Sequence, residues 1–213
     1  MKKHTAFHGI YPVITEKFCL NGSSIKTLKA ALKGGAKIIQ LREKEYPKKK
    51  IYEMALEFRR LTSKAGAILI INDHADIAAA VKADGVHLGQ DDLPIKAVKK
   101  AAPGLLIGVS THNLKEALEA EKAGADYINI GPVFATATKE KLCAPLGPEA
   151  VKKIAQKIKI PFTVMGGIKK ENIKTLLNTE ARCIAVVTAV TGAKNPEREV
   201  REMNGIIKKA GVV

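Results

Sequence analysis

Short apolar runs alternate with amphipathic, helix-like stretches along the chain. Eight runs rich in β-branched residues read as strands, and a helical pattern follows each of them. The eight runs are 9–15, 37–43, 67–73, 84–90, 105–111, 126–133, 161–167 and 182–188. Clear helical patterns cover 46–66, 113–125, 147–158 and 195–211. Repeated βα units predict a parallel sheet covered by helices.

Eight βα units favour an α/β protein with a closed (β/α)8 TIM barrel, as a single domain over residues 1–213. An open doubly wound sheet is the alternative. It leaves two runs unexplained, and no GxGxxG motif follows the first run. The longest connection, roughly 131–147, follows the sixth strand. A long loop on that side of a barrel is usually functional.

Composition places the chain among globular proteins, with 46% hydrophobic and 27% charged residues. No apolar run approaches the roughly 20 residues of a membrane span, and the N-terminus lacks a signal-peptide pattern. We therefore expect a cytoplasmic protein. Cys19, Cys143 and Cys183 are odd in number and far apart, which predicts inert thiols and neither a disulfide framework nor a zinc site.

The net charge of +15 could indicate nucleic-acid binding. The lysines, however, are spread at helical spacings, and only 4% of residues are aromatic. Solvated helix faces around an anion-binding enzyme explain this pattern better. We expect phosphorylated small-molecule substrates as partners, and neither nucleic acid nor a membrane. A homo-oligomer stays open.

Acidic residues follow two consecutive strands. Asn72 and Asp73 end the third run, and Gln90, Asp91 and Asp92 follow the fourth. Neighbouring parallel strands bring such residues to one rim, where two carboxylates make a hard-oxygen site for Mg²⁺. In the alternative interpretation, Asp73 and Asp92 only cap the helices that follow.

The second strand carries a polar row in "QLREK". Gln40, Arg42 and Lys44 alternate, so they share one face, while Ile39 and Leu41 face the helices. An inward row of this kind is costly unless it lies near the open rim or meets anions. Arginine and lysine are the usual phosphate ligands. A structural salt bridge from Arg42 is the alternative.

Further polar groups follow strands five to eight. Ser110 ends the fifth strand, and Thr136, Thr138 and Lys139 lie in the loop after the sixth. Glycine-containing segments follow strands seven and eight, where barrels commonly hold a phosphate on backbone N–H groups. His87, inside the fourth strand, reads as a core or supporting residue. No Ser-His-Asp or Cys-His arrangement predicts covalent catalysis.

Together these groups predict two anion sites and one Mg²⁺ site on one rim. The charged set after strands two to four suits a diphosphate with its metal. The glycine segments suit a second, monophosphorylated molecule. This pairing indicates the transfer of a group from a diphosphate to another substrate.

The motifs "QLREK", "INDHADIAAAVKADGVHLGQDDLP", "GVSTH", "GPVFATATK", "GGI" and "AVVTAV", in this order, resemble the thiamine-phosphate synthase family. The likeness runs from about residue 9 to residue 205, and "DGVHLGQDDLP" is its most specific segment. The family is a (β/α)8 barrel that joins hydroxymethylpyrimidine diphosphate to a thiazole phosphate and releases pyrophosphate.

The resemblance implies roles residue by residue. The metal ligands would be Asp73 and Asp92, holding one Mg²⁺. The pyrimidine diphosphate would be bound by Gln40, Leu41, Arg42, Glu43, Lys44, Asn72, Ser110 and Lys139. The thiazole phosphate would be bound by Thr136, Ala137, Thr138, Gly167, Val187 and Thr188. Among these residues, Arg42, Lys44, Ser110 and Lys139 would be catalytic.

The chain also departs from the family pattern. Ala135 and Ala137 stand where the family usually has prolines, which would make the sixth loop more mobile. Thr188 replaces a common serine, and His74 follows the metal aspartate where arginine or tyrosine is frequent. Three rival functions remain. They are the thiazole tautomerase paralogue, which should lack the complete diphosphate and metal set, a noncatalytic phosphate- or nucleic-acid-binding barrel, and a barrel enzyme acting on a single phosphorylated sugar. The last leaves the paired aspartates and the second anion site unexplained.

Overall fold

The computed structural model describes residues 7–136, 138 and 144–211, and its eight parallel strands close into a barrel. The last strand pairs with the first, from Gly9 opposite Cys183 to Pro12 opposite Val186. Every predicted apolar run contains one strand, which confirms the (β/α)8 fold. The strands are β1 (Gly9–Ile14), β2 (Ile38–Leu41), β3 (Ile68–Asn72), β4 (Gly85–Leu88), β5 (Leu106–Thr111), β6 (Tyr127–Ile130), β7 (Phe162–Val164) and β8 (Cys183–Val186).

Helices cover the outside of the barrel, and their ends follow local capping rules. The side chains of Ser23, Asn113 and Asn195 accept N-terminal N–H groups, and Gly66 ends a helix in the left-handed conformation. The helices are α1 (Ser24–Lys33), α2 (Lys48–Ala65), α3 (Ala75–Ala80), α4 (Ile95–Ala101), α5 (Leu114–Ala123), α6 (Gly147–Ala155), α7 (Thr188–Thr191) and α8 (Pro196–Lys209).

The segment after β7 differs from the expected α-helix, because Ile173–Thr179 forms a 3-10 helix. The hydroxyls of Thr175 and Thr179 donate to carbonyls three residues earlier, at 2.7 Å and 2.6 Å. Such side-chain bonds compete with the regular α-helical pattern. A second short 3-10 helix, Glu16–Phe18, follows β1.

Alternation along the strands produces two separate apolar layers. Ile39, Leu41 and Ile71 point outward and pack in one cluster with the helices, for example with Phe58 of α2. The inward-facing residues fill the barrel in a second cluster: Phe7, Tyr11, Val13, Ile38, Ile70, Leu106, Tyr127, Cys183 and Ala185. Full burial of a large apolar side chain contributes roughly 1.5–3 kcal/mol, so both layers stabilise the barrel.

The expectation of inert thiols holds for two of the three cysteines. Cys19 and Cys183 are buried and free, and burial raises the pKa of both thiols. Cys143 lies outside the described residues. Within the described ranges, no helix is both long enough and apolar enough to cross a bilayer.

Candidate active site

The open end of the barrel at the carboxyl ends of the strands is called the mouth here. Its predicted diphosphate side is formed by the ends of β2, β3 and β4. Lys44 follows β2, and its Nζ lies 3.2 Å from Oδ2 of Asp73, just after β3. The neighbouring Asn72 is buried, and its Nδ2 has no hydrogen-bond partner among the described residues. Leaving a buried donor unpaired costs about 1–3 kcal/mol. An unpaired amide beside two charged groups is the arrangement expected of a ligand-binding site.

Asp73 and Asp92 come together as the sequence predicts. The backbone of Asp73 has a φ of +60°, unusual for a residue other than glycine, and its N–H donates to the carbonyl of His87 at 2.8 Å. Burial and the hydrogen-bond contact with Asp92 raise the pKa of the Asp73 carboxyl, although the charge of Lys44 opposes them. A divalent cation between the two carboxylates would remove this mutual repulsion.

The helix-capping alternative for these aspartates is wrong. His74 and Pro94 occupy the N-cap positions of α3 and α4, and neither makes a side-chain capping bond. Oδ2 of Asp92 instead accepts the N–H of Gly89 at 2.6 Å, inside the loop after β4. That bond fixes the carboxylate in the loop, where it contacts Asp73.

The polar row of β2 spans the depth of the mouth. Gln40 is deepest and only 1% exposed, and its Nε2 donates to the hydroxyl of Tyr11 at 2.8 Å. Arg42 is half-buried just past the end of the strand, and Lys44 is exposed at the top. The hydroxyl of Thr15 donates to the Arg42 carbonyl at 2.7 Å and holds this segment against β1.

Two neighbours in the same predicted set have other surroundings. Leu41 packs in the helix-facing cluster, so only its backbone can serve the mouth. Glu43 is 4% exposed and accepts the N–H of Glu16 at 2.7 Å. Burial raises the pKa of Glu43 to about 6, although that hydrogen bond lowers it.

Ser110, at the end of β5, is linked to groups in the barrel interior. Nε2 of His87 lies 2.9 Å from the Ser110 hydroxyl, and Nδ1 lies 3.0 Å from the hydroxyl of Tyr127. His87 is thus a buried supporting residue, as predicted. Sequence reasoning missed Tyr11 and Tyr127, and their only signal was a tyrosine at an inward position of a strand.

The opposite side of the mouth is a small cavity at the ends of β6, β7 and β8. The hydroxyls of Thr136 and Thr138 lie 2.9 Å apart on its wall. Gly167, Val187 and Thr188 also line it, and the last of these begins α7. Five of the six predicted thiazole-phosphate residues therefore border or adjoin one cavity. Ala137, together with Lys139 from the diphosphate set, lies outside the described residues.

Glycine is required in the loop after β7. Gly167 has a φ of +60°, and a Cβ built there would lie 2.3 Å from the carbonyl oxygen of Ala135. Asn172, which sequence reasoning missed, stabilises the same loop through two hydrogen bonds. Its Nδ2 donates to the Gly167 carbonyl at 2.9 Å, and its Oδ1 accepts the Lys169 N–H at 2.8 Å.

These features define a (β/α)8-barrel enzyme with its active site at the carboxyl ends of the strands. The sequence model of a family described as "Thiamine monophosphate synthase" matches residues 10–190. The thiamine-phosphate synthase of Pelotomaculum thermopropionicum is 43% identical over 201 residues, covering 94% of this chain and 92% of that protein. The protein of the same name from Caldicellulosiruptor saccharolyticus is 44% identical over 203 residues, with 95% and 92% coverage.

A solved structure agrees. Thiamine phosphate pyrophosphorylase from Pyrococcus furiosus superposes with a TM-score of 0.89 at 38% identity, covering 96% of this chain and 98% of the other. The chain belongs to the thiamine monophosphate synthase family. It is accordingly a transferase.

Proposed function

We propose that this transferase joins hydroxymethylpyrimidine diphosphate to a thiazole phosphate, giving thiamine phosphate and pyrophosphate. The observation that carries the proposal is the contact of Asp73 with Asp92, with Lys44 at 3.2 Å, across the mouth from a glycine-lined cavity. One side suits a metal-bound diphosphate. The other suits a phosphate held largely by backbone N–H groups.

The residues present fit Mg²⁺. Among the described residues, no group of three His, Cys, Asp or Glu side chains converges as a closed transition-metal site would require. Mg²⁺ needs only one or two carboxylates, since substrate phosphates and water complete its octahedron. Asp73 and Asp92 would hold it. When bound, the ion would neutralise charge on the departing pyrophosphate.

The cationic side chains would bind the leaving group. Arg42 and Lys44 follow β2 on the face that contains Asn72 and Asp73, and Lys139 has the same role by family resemblance. Positive charge aimed at developing negative charge is the main source of rate in such displacements. In the proposed reaction the methylene–oxygen bond of the pyrimidine breaks first, and these cations stabilise the released pyrophosphate.

The nucleophile needs no general base. The thiazole nitrogen carries a lone pair and attacks the pyrimidine methylene cation directly, so no proton leaves it. Thr136, Thr138 and the backbone near Gly167 and Thr188 would hold the thiazole phosphate so that its nitrogen faces the cation. Positioning of two bound reactants is worth several kcal/mol of barrier.

The test is two-substrate turnover with purified protein. Both substrates with Mg²⁺ should give equal amounts of thiamine phosphate and pyrophosphate, and chelation with EDTA should stop the reaction. If folded protein supplied with both substrates and Mg²⁺ formed no product, the proposal would be contradicted. If the same preparation isomerised the thiazole substrate, the tautomerase paralogue would be favoured instead.

A further inference from the structure

A continuous hydrogen-bonded chain crosses the barrel interior beneath the mouth. Nε2 of Gln40 lies 2.8 Å from the hydroxyl of Tyr11, which lies 3.3 Å from the hydroxyl of Tyr127. That hydroxyl lies 3.0 Å from Nδ1 of His87, and Nε2 of His87 lies 2.9 Å from Oγ of Ser110. The chain therefore joins five strands and ends at a residue of the predicted pyrimidine site.

Each of the two tyrosine hydroxyls can accept one hydrogen bond and donate another. Tyr11 and Tyr127 are almost completely buried, and burial raises the pKa of both hydroxyls, so both keep their protons. A hydroxyl has one proton to donate. A hydroxyl that accepts a hydrogen bond from one neighbour can donate its proton to the next, so such groups can share one direction along the row.

Gln40 fixes the direction at the inner end. Its amide nitrogen donates to the oxygen of Tyr11, so the Tyr11 proton is available for Tyr127. In this direction Tyr127 would in turn donate to Nδ1 of His87, which lies 3.0 Å from its hydroxyl. A neutral imidazole that accepts at Nδ1 carries its proton on Nε2 and donates it to Ser110.

We propose that this row of hydrogen bonds holds His87 as the neutral Nε2–H tautomer and so makes Ser110 a hydrogen-bond donor toward the pyrimidine diphosphate. Because Oγ of Ser110 accepts from His87, its own proton is free to point into the mouth. Tyr127 and His87 are then positioning residues, and Ser110 is the group that touches substrate. The substrate half of this inference rests on the proposed function.

The barrel reserves space for the central tyrosine. A Cβ at Gly108, on the neighbouring strand β5, would lie 2.0 Å from Cζ of Tyr127 and 2.4 Å from its hydroxyl. The ring of Phe7 packs on the same tyrosine, with ring centroids 4.6 Å apart. The Ser110 end is fixed too, since Nε2 of Gln90 donates to the Ser110 carbonyl at 2.6 Å.

Nitrogen NMR of histidine-labelled protein reads the tautomer without turnover. The chain has five histidines, and His87→Gln identifies the His87 signals by their loss. The wild type should show the pattern of a protonated Nε2 and an accepting Nδ1 at His87. The reverse pattern would overturn the inference, because an imidazole protonated at Nδ1 donates to Tyr127 and accepts the Ser110 proton at Nε2.

Kinetics test the link to Ser110. Tyr127→Phe keeps the ring but removes the hydroxyl, so we expect kcat to fall about tenfold with KM for the thiazole phosphate unchanged. Tyr52→Phe, on the exposed side of α2, is the matched control and should behave like wild type. Adding Tyr127→Phe to Ser110→Ala should cause no further loss, because both changes remove one interaction.

Full additivity of these two substitutions would overturn the coupling. A rise in KM for the thiazole phosphate equal to the fall in kcat would overturn it as well, since that pattern indicates general distortion. The wild-type spectrum decides the tautomer even if a variant folds poorly. A wild type that shows no turnover but has the Nε2–H pattern would contradict the proposed function and still support the tautomer assignment.

Discussion

The two sides of the mouth are built from different chemical groups. The side formed by β2 to β4 presents charged and amide side chains, including Lys44, Asn72, Asp73 and Asp92. The side formed by β6 to β8 presents threonine hydroxyls and backbone around Gly167. The difference shows two ways to hold phosphate on one rim, one by placing charges and the other by shaping the main chain.

Each side of the mouth carries its own energetic cost. On the charged side, Asp73 contacts Asp92, and Nδ2 of Asn72 has no hydrogen-bond partner among the described residues, so both features cost stability. On the backbone side, the cost is conformational. Gly167 adopts a positive φ next to the carbonyl of Ala135, where a side chain would collide with the carbonyl oxygen.

The largest effect should come from the metal pair. Asp92→Asn keeps the shape and can still accept the Gly89 N–H, but it removes one negative charge from the proposed Mg²⁺ site. We expect turnover at saturating substrate to fall by roughly 10²–10³-fold, with the thermal midpoint near that of wild type. Steady-state kinetics over a Mg²⁺ titration should also show weaker activation.

Asp76→Asn is the control for this prediction. Asp76 lies in the first turn of α3, three positions after Asp73, and it forms an ion pair with Lys48 in which both side chains are well exposed. Exposed pairs contribute about 0–1 kcal/mol, so this variant should keep wild-type activity. If Asp92→Asn retained full activity at every Mg²⁺ concentration, the charged side would not be a metal site.

On the backbone side, Gly167→Ala should be destabilising and should weaken thiazole-phosphate binding. Gly66→Ala separates the two causes, because Gly66 has nearly the same φ, +62°, but nothing lies within 4 Å of its added Cβ. We expect about 1 kcal/mol lost at Gly66 from φ alone and about 2 kcal/mol more at Gly167 from the collision.

Urea unfolding measures both losses, and KM for the thiazole phosphate locates the effect. That KM should rise in Gly167→Ala and stay unchanged in Gly66→Ala, which lies at the end of α2. Equal losses of stability in the two variants would mean that the loop moves away from Ala135 at little cost. The close approach would then not define the cavity.

The same contrast explains what the sequence could predict. Strand alternation placed Gln40, Arg42 and Lys44 on one face and Leu41 on the other, and the placement of Gln40 and Leu41 is confirmed by their separate surroundings. Asp73 and Asp92 could be paired because consecutive parallel strands are neighbours in a barrel.

Contacts between residues that lie far apart in the sequence could not be predicted from it. Tyr11 and Tyr127 meet across the barrel although 116 positions separate them, and no local pattern signals such a pair. Asn172 was missed because an asparagine in a loop is usually a turn residue. The 3-10 helix after β7 was read as α-helix because the hydrophobic spacing of the two is similar over one or two turns.

The smallest predicted effect concerns Glu43, a carboxyl buried behind the charged side. Burial raises its pKa from 4.5 to about 6, whereas an unfolded chain would release the proton near 4.5. Between these values the folded state binds more protons than the unfolded state. Stability therefore falls as pH rises through this window, by about 2 kcal/mol in total.

Glu43→Gln should remove that loss, because the amide stays neutral and its oxygen can still accept the Glu16 N–H. The variant should match wild type below about pH 4.5 and gain up to about 2 kcal/mol above pH 6, measured by urea unfolding across the range. Glu53→Gln is the control, since Glu53 lies exposed on α2 and should leave the slope unchanged. Parallel curves for wild type and Glu43→Gln would show that Glu43 ionises normally. Burial of its carboxylate would then cost no stability behind the charged side of the mouth.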